Sequence, residues 1–67
     1  MKIFCLNGQF YTISNPITLF DLINYFNYDS SVLVVEYNKF ICPKQKWTKI
    51  CICNKDNIEI ISIVGGG

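Results

Sequence analysis

Three successive glycines, Gly65-Gly66-Gly67, close the sequence, and they are the residues with the clearest chemical use. A terminal glycine presents a carboxylate with no side chain beside it, and glycine backbone reaches conformations and close approaches that other residues resist. Such a tail can thread a narrow channel into the active site of another protein. A carboxylate is a poor acyl donor at neutral pH. Adenylation with ATP converts it to an acyl-adenylate, from which AMP leaves when a sulfur or nitrogen nucleophile attacks. On this reading the chemistry is done to the tail, and the catalytic groups sit on partners. A frayed terminus is the competing reading, because chain ends are often disordered. Against it, the glycines follow a strongly β-forming run, Ile58 to Val64, with no polar spacer.

The other reactive residues offer less. The sequence has no His, Arg or Ala, so the commonest general base and metal ligand is missing. Asp21, Asp29, Glu36, Asp56 and Glu59 show no paired-carboxylate arrangement, and the serines lack a His partner. No catalytic residue, resident metal or tightly bound cofactor is expected. Four cysteines, Cys5, Cys42, Cys51 and Cys53, admit three readings. Two disulfides require an oxidising context, and no export signal is visible in Met1 to Asn7. Structural zinc usually shows paired C-x-x-C knuckles, whereas the close pair here is Cys51-x-Cys53. The third reading, reduced thiols on strands in a reducing compartment, is favoured.

Sixty-seven residues, 51% of them hydrophobic and 16% charged, make one folded domain with little room for a large cleft, since so short a chain buries only about 60% of its unfolded surface. A net charge of +1 is too balanced for a nucleic-acid binder. No apolar run approaches the ~20 residues of a membrane span. Heavy use of Lys, Asn, Ile, Phe and Tyr points to an A/T-rich genome, and the locations considered are a bacterial cytoplasm and a plastid stroma.

The elements that must position the tail are legible from pattern. Lys2 to Leu6 and Gln9 to Ser14 flank Asn7-Gly8, the strongest short hairpin signal because both turn positions tolerate positive φ. Thr18 reads as a helix cap with Asp21 in capping-box position. Leu19, Leu22, Ile23 and Phe26 then form one helical face, with Asn24 and Asn27 facing away, and residues 27–31 break the pattern. Val32 to Tyr37 is a β-branched strand. Asn38-Lys39 turns the chain into a short strand, Phe40 to Cys42, stopped by Pro43. Lys44 to Trp47 is a polar turn, and Trp47 plugs the core edge. Lys49 to Cys53 alternates as a further strand, Asn54 to Asn57 turns, and Ile58 to Val64 is the last strand. The predicted class is α+β: one helix across one face of a mixed sheet, with first and last strands parallel at its centre. Residues 1–64 form the domain and 65–67 the tail. If Ile58 and Ile60 face the core, Ile61 and Ile63 fall on the opposite face, as a candidate partner patch. Lys39, Lys44, Lys46 and Lys49 read as a solvated face.

An ordered set of motifs then resembles one family. The hairpin–helix–sheet order with a terminal Gly-Gly resembles the β-grasp of ubiquitin-like proteins. Leu6-Asn7-Gly8, Thr18-Leu19-Phe20-Asp21-Leu22-Ile23, the stretch Val34 to Asn38 with Ile41, Pro43 and Trp47, the run Asp56, Ile58, Glu59, Ile60, and the ending Val64-Gly65-Gly66-Gly67 are similar to the ThiS family of sulfur carriers in thiamine biosynthesis. Cys42 stands where Val is more usual, and Lys44 near where Arg is found. The resemblance implies that an adenylyltransferase of the ThiF type, using ATP, activates the carboxylate of Gly67, with Gly65 and Gly66 as the segment that threads the partner's channel; that a cysteine desulfurase relay supplies sulfur to form a thiocarboxylate on Gly67; and that thiazole synthase, ThiG, receives it. Two alternatives stay open: a molybdopterin synthase small subunit or other ubiquitin-like modifier, and a β-grasp interaction module with an inert tail.

Overall fold

The computed structural model describes residues 1–26 and 33–62. The expected break at 27–31, Val32, and the segment 63–67 lie outside them. Strands β1 (Lys2–Leu6) and β2 (Gln9–Ile13) form an antiparallel hairpin with Lys2 opposite Ile13 and Leu6 opposite Gln9. Asn7 and Gly8 both have positive φ, 50° and 82°, which matches the right-handed strand twist. Helix α1 (Leu19–Tyr25) follows, and the capping box is complete: Thr18 Oγ1 accepts from the Asp21 amide at 3.1 Å and Asp21 Oδ2 accepts from the Thr18 amide at 2.9 Å. Phe26 closes the helix as its C-cap. Strand β3 (Leu33–Tyr37) turns through Asn38 and Lys39, both at positive φ, into the two-residue strand β4 (Phe40–Ile41). Strand β5 (Asn57–Ser62) completes the sheet.

The strand order is β2-β1-β5-β3-β4, with β1 and β5 parallel and the remaining pairs antiparallel. The expected parallel pairing at the sheet centre is therefore present. The helix covers one face. Phe4, Leu6, Val35, Ile58 and Ile60 from the sheet pack with Leu19, Leu22 and Ile23 from the helix. Trp47 and Ile52 close the core edge, at 2% and 0% exposure.

Two expectations need correction. Lys49 to Cys53 is not a strand of the sheet. It makes an isolated bridge, Thr18 with Cys51, supported by hydrogen bonds from Leu19 N to Ile50 O and from Ile52 N to Ile17 O, both 2.9 Å. The alternation of apolar and exposed residues is real, but its partner is the short approach to the helix rather than a strand edge. Asn57 belongs to β5 rather than to the preceding turn, because Asn38 holds its amide as a ladder partner would. The polar turn at Lys44 to Trp47 is a 3-10 helix, Lys44–Lys46, capped by Trp47.

Candidate functional site

Strand β5 is the element that carries the chain toward the glycine tail, and its surroundings hold it from both sides. On the β1 side, the Asn7 amide donates to the Ile58 carbonyl at 2.9 Å, and Asn7 Oδ1 accepts from the Ile60 amide at 2.8 Å. The β1 ladder thus continues past the end of the strand through a side chain. On the β3 side, the Asn38 amide donates to the Asn57 carbonyl at 2.7 Å and Asn38 Oδ1 accepts from the Asn57 amide at 2.8 Å. Each hairpin turn therefore begins with an asparagine at positive φ whose side chain grips the same central strand. Asparagine tolerates that backbone conformation and supplies the acceptor.

The root of β5 is fixed by Asp56, which is buried. Its carboxylate accepts from the Tyr37 hydroxyl, from the Cys53 amide at 2.6 Å and from Asn38 Nδ2 at 3.1 Å. Its own carbonyl accepts from the Cys5 amide at 2.9 Å. Burial, followed by the hydrogen bond to Asp56 and its negative charge, pushes the Tyr37 hydroxyl well above its ordinary value. A buried carboxylate satisfied by several donors is a structural clamp rather than an acid or base awaiting substrate. Sequence reading missed this role. The visible signal was an Asp in the turn before the last strand, with Asn and Tyr residues able to reach it.

On the outer face of the sheet, Ile61 is 48% exposed and lies opposite Val34 on β3. Glu59 lies opposite Glu36, which in turn lies opposite Ile41 on β4. Ile41 is 71% exposed. Two carboxylates thus face each other between apolar neighbours, an arrangement that is unfavourable in isolation. Ile58 and Ile60 point into the core, so the face assignment of Ile61 is as expected from alternation. Ile63, Gly65, Gly66 and Gly67 lie outside the described residues.

The remaining candidates fall into place. Cys5, Cys42, Cys51 and Cys53 are all free thiols. Cys42 is buried, and burial raises its thiol, partly countered by the nearby Lys46 charge. Among the described residues, no cluster of three or more His, Cys, Asp or Glu could hold a metal ion, and no helix is long and apolar enough to cross a membrane. Lys39, Lys44, Lys46 and Lys49 are exposed. Trp47 donates from Nε1 to the Cys42 carbonyl at 3.1 Å, so it is a satisfied core residue. A groove of about 420 Å³ between α1 and the first hairpin is lined by Phe4, Tyr11, Leu22, Tyr25 and Phe26 among others. Asp21, the one carboxylate among the described lining residues, is engaged in the capping box.

A family model described as the ThiS family matches residues 5–67, nearly the whole chain. The chain belongs to the ThiS family. Among its relatives, the "Uncharacterized protein ycf40" of Trieres chinensis is 59% identical over 66 residues, covering 98% of this chain and 90% of that one. The "Sulfur carrier protein ThiS" of Bacillus subtilis (strain 168) is 36% identical over 50 residues, 75% of this chain and 76% of that one. A "Thiazole synthase" of Paramagnetospirillum magneticum (strain ATCC 700264 / AMB-1) is 31% identical over 62 residues, which span 92% of this chain but 19% of that protein. Among solved structures, the crystal structure of the thiamine biosynthesis protein ThiS from Geobacter metallireducens superposes with a TM-score of 0.82, at 18% identity, covering 97% of this chain and 99% of that one. The fold is the ubiquitin-like β-grasp of the ThiS family.

Proposed function

We propose that this chain is a sulfur carrier for thiamine biosynthesis, in which the carboxylate of Gly67 is adenylated and then converted to a thiocarboxylate. The observation that carries the reading is the family match, which runs through the terminal glycines. The geometry is consistent with it. The last described strand is central in the sheet and clamped on both edges, so it makes a stiff base for Gly65 and Gly66 to extend from. The described residues present a satisfied buried carboxylate and reduced thiols, and the chemistry is assigned to partners: an adenylyltransferase of the ThiF type that uses ATP, a cysteine desulfurase relay, and a thiazole synthase of the ThiG type as sulfur acceptor. Support for the last is the similarity to part of a protein named thiazole synthase. The partner patch is centred on Ile61, which is exposed on the outer face, and the alternation of the sequence extends it to Ile63. The location proposed is the plastid, supported by the ycf40 name of an algal relative and by the A/T-rich residue usage.

The test is intact-mass spectrometry of the chain isolated from cells making thiamine. A subpopulation heavier by one oxygen-to-sulfur exchange, mapped to Gly67, is expected. It should disappear when Gly66 and Gly67 are deleted. Protein that stays unmodified throughout, or a truncated chain that still supports thiazole formation, would overturn the carrier reading and leave an interaction module with an inert tail. The molybdopterin alternative is separated by identifying the acceptor captured with the thiocarboxylate form.

A further inference from the structure

The two edges of the sheet are finished differently. One edge is β4, two residues long with Pro43 soon after it, a blunted edge. The other is β2, five residues without a charge, a proline or a glycine. The register shows which way its backbone faces. On β1, the Ile3 carbonyl accepts from the Lys55 amide at 2.6 Å and the Cys5 amide donates to the Asp56 carbonyl at 2.9 Å. Ile3 and Cys5 are thus turned toward the β5 side, and Lys2, Phe4 and Leu6 make the ladder to Ile13, Tyr11 and Gln9. By the alternation of an antiparallel pair, the N–H and C=O groups of Phe10 and Thr12 point out of the sheet edge. Among the described residues, no hydrogen bond from a turn or loop reaches them.

The groove of about 420 Å³ runs beside this edge, with Tyr11 and Ile13 of β2 on one side and Leu22, Tyr25 and Phe26 on the other. Its lining is an aromatic row. Phe4 stacks on Tyr11 with ring centroids 5.7 Å apart, Phe26 meets Tyr11 edge-on at 5.5 Å, and Tyr25 meets Phe26 edge-on at 5.1 Å. Tyr25 is 79% exposed, so the row ends in solvent. A strand laid against β2 would send every second side chain to the Tyr11 and Ile13 side, into this groove, and the others to the side of Phe10. Asp21 is the one charge among the described lining residues, and it is exposed. Lys2, opposite Ile13, directs its Nζ at the Ile52 carbonyl at 3.4 Å and lies outside the lining.

We propose that the β2 edge and this groove together bind an extended segment of a partner protein, apolar at alternate positions and carrying a lysine or arginine, which joins the sheet as a sixth strand. An outward row of N–H and C=O groups is matched by extended backbone. The groove selects the side chains, and Asp21 selects the cation by charge complementarity. A second copy paired through β2 would instead bring an identical carboxylate to the same side of the joined sheet. Ile61 lies on the opposite face and β1 stands between β2 and β5, so the segment leaves the proposed carrier surface open.

The probe is a capped peptide of alternating valine and threonine with a lysine at each end, titrated into the full ¹⁵N-labelled chain at low salt. Saturable shifts are expected at Phe10, Tyr11, Thr12, Ile13 and Tyr25, with slowed hydrogen exchange at the Phe10 and Thr12 amides. A peptide N-methylated at alternate residues, which loses its ladder donors, should bind at least about tenfold more weakly. Glutamate in place of the lysines should weaken binding about threefold. Thr12→Pro removes an edge donor and no internal ladder bond, and should abolish binding. Tyr25→Glu, at an exposed position, tests the groove independently should the proline variant fail to fold, and should weaken binding likewise. Absent shifts, shifts centred on Ile61, or equal binding of the N-methylated peptide would overturn the proposal, the last leaving an apolar groove without strand addition. Equal or tighter binding of the glutamate peptide would also overturn it. Protection of Phe10 and Thr12 in the free chain that is lost on dilution would assign the edge to a second copy instead. No readout involves Gly67, so the outcome is independent of the carrier reading.

Discussion

Asp56 and Tyr37 show how a single polar contact organises the base of the working strand. The carboxylate collects donors from β3, from the hairpin turn and from the segment before β5, tying three stretches of chain to one point. Tyr37 is held neutral there, its hydroxyl pushed above the ordinary value of 10.0 by burial and by Asp56. The folded state then keeps a proton that the unfolded chain gives up. Stability from this contact is complete below about pH 10, the unfolded value of tyrosine, and is lost as the pH rises toward the higher folded value. Tyr37→Phe should therefore be less stable than the parent at neutral pH and should show a shallower loss between pH 9 and 11, as urea midpoints measured across that range would report. Parallel curves for the two proteins would mean that Tyr37 ionises as freely folded as unfolded.

The elements depend on two asparagines that sequence pattern identified only as turn residues. Asn7 and Asn38 were expected for their backbone tolerance, and they do hold positive φ. Their side chains do more, each accepting an amide from β5. Asn7→Gly keeps access to the turn conformation but removes the acceptor for Ile60. It should cost about 1–3 kcal/mol, the usual penalty for stranding a buried donor, read as a lower urea midpoint with an unchanged slope. The hairpin, helix, capping box and central parallel pair were legible because each is written in local pattern: Asn7-Gly8, Thr18 with Asp21, and the i, i+3, i+4 spacing of Leu19, Leu22 and Ile23. Lys49 to Cys53 was misread as a sheet strand because alternation reports which side is buried and not which neighbour supplies the hydrogen bonds. The same limit hid Asp56, whose side-chain partners Asn38 and Tyr37 come from 18 and 19 residues away in the chain. Of the candidate site, Ile61 was placed on the outer face by period alone, while the Glu36–Glu59 juxtaposition needed the register of two strands.

At the level of the whole molecule, the β-grasp separates a packed face, under the helix, from an outer face that β5 crosses at the centre of the sheet. The proposed docking of an activating enzyme uses that outer face. Ile61→Lys should leave thermal stability nearly unchanged, since exposed substitutions usually shift it by no more than about 0.5 kcal/mol. It should weaken capture of the adenylating partner at least about tenfold, or about 1.4 kcal/mol, in a direct binding titration. Undiminished binding would move the contact elsewhere on the domain.

The position of β5 between two neighbours has a mechanical consequence. Any tug on the far end of the chain, such as a partner drawing it into a channel, acts along a strand bonded on both flanks. The load must slide that strand past β1 and β3 together, breaking many hydrogen bonds at once. An edge strand under the same pull would unzip bond by bond. In the proposed carrier role, a chain gripped by its end and released can in this way survive handling without coming apart.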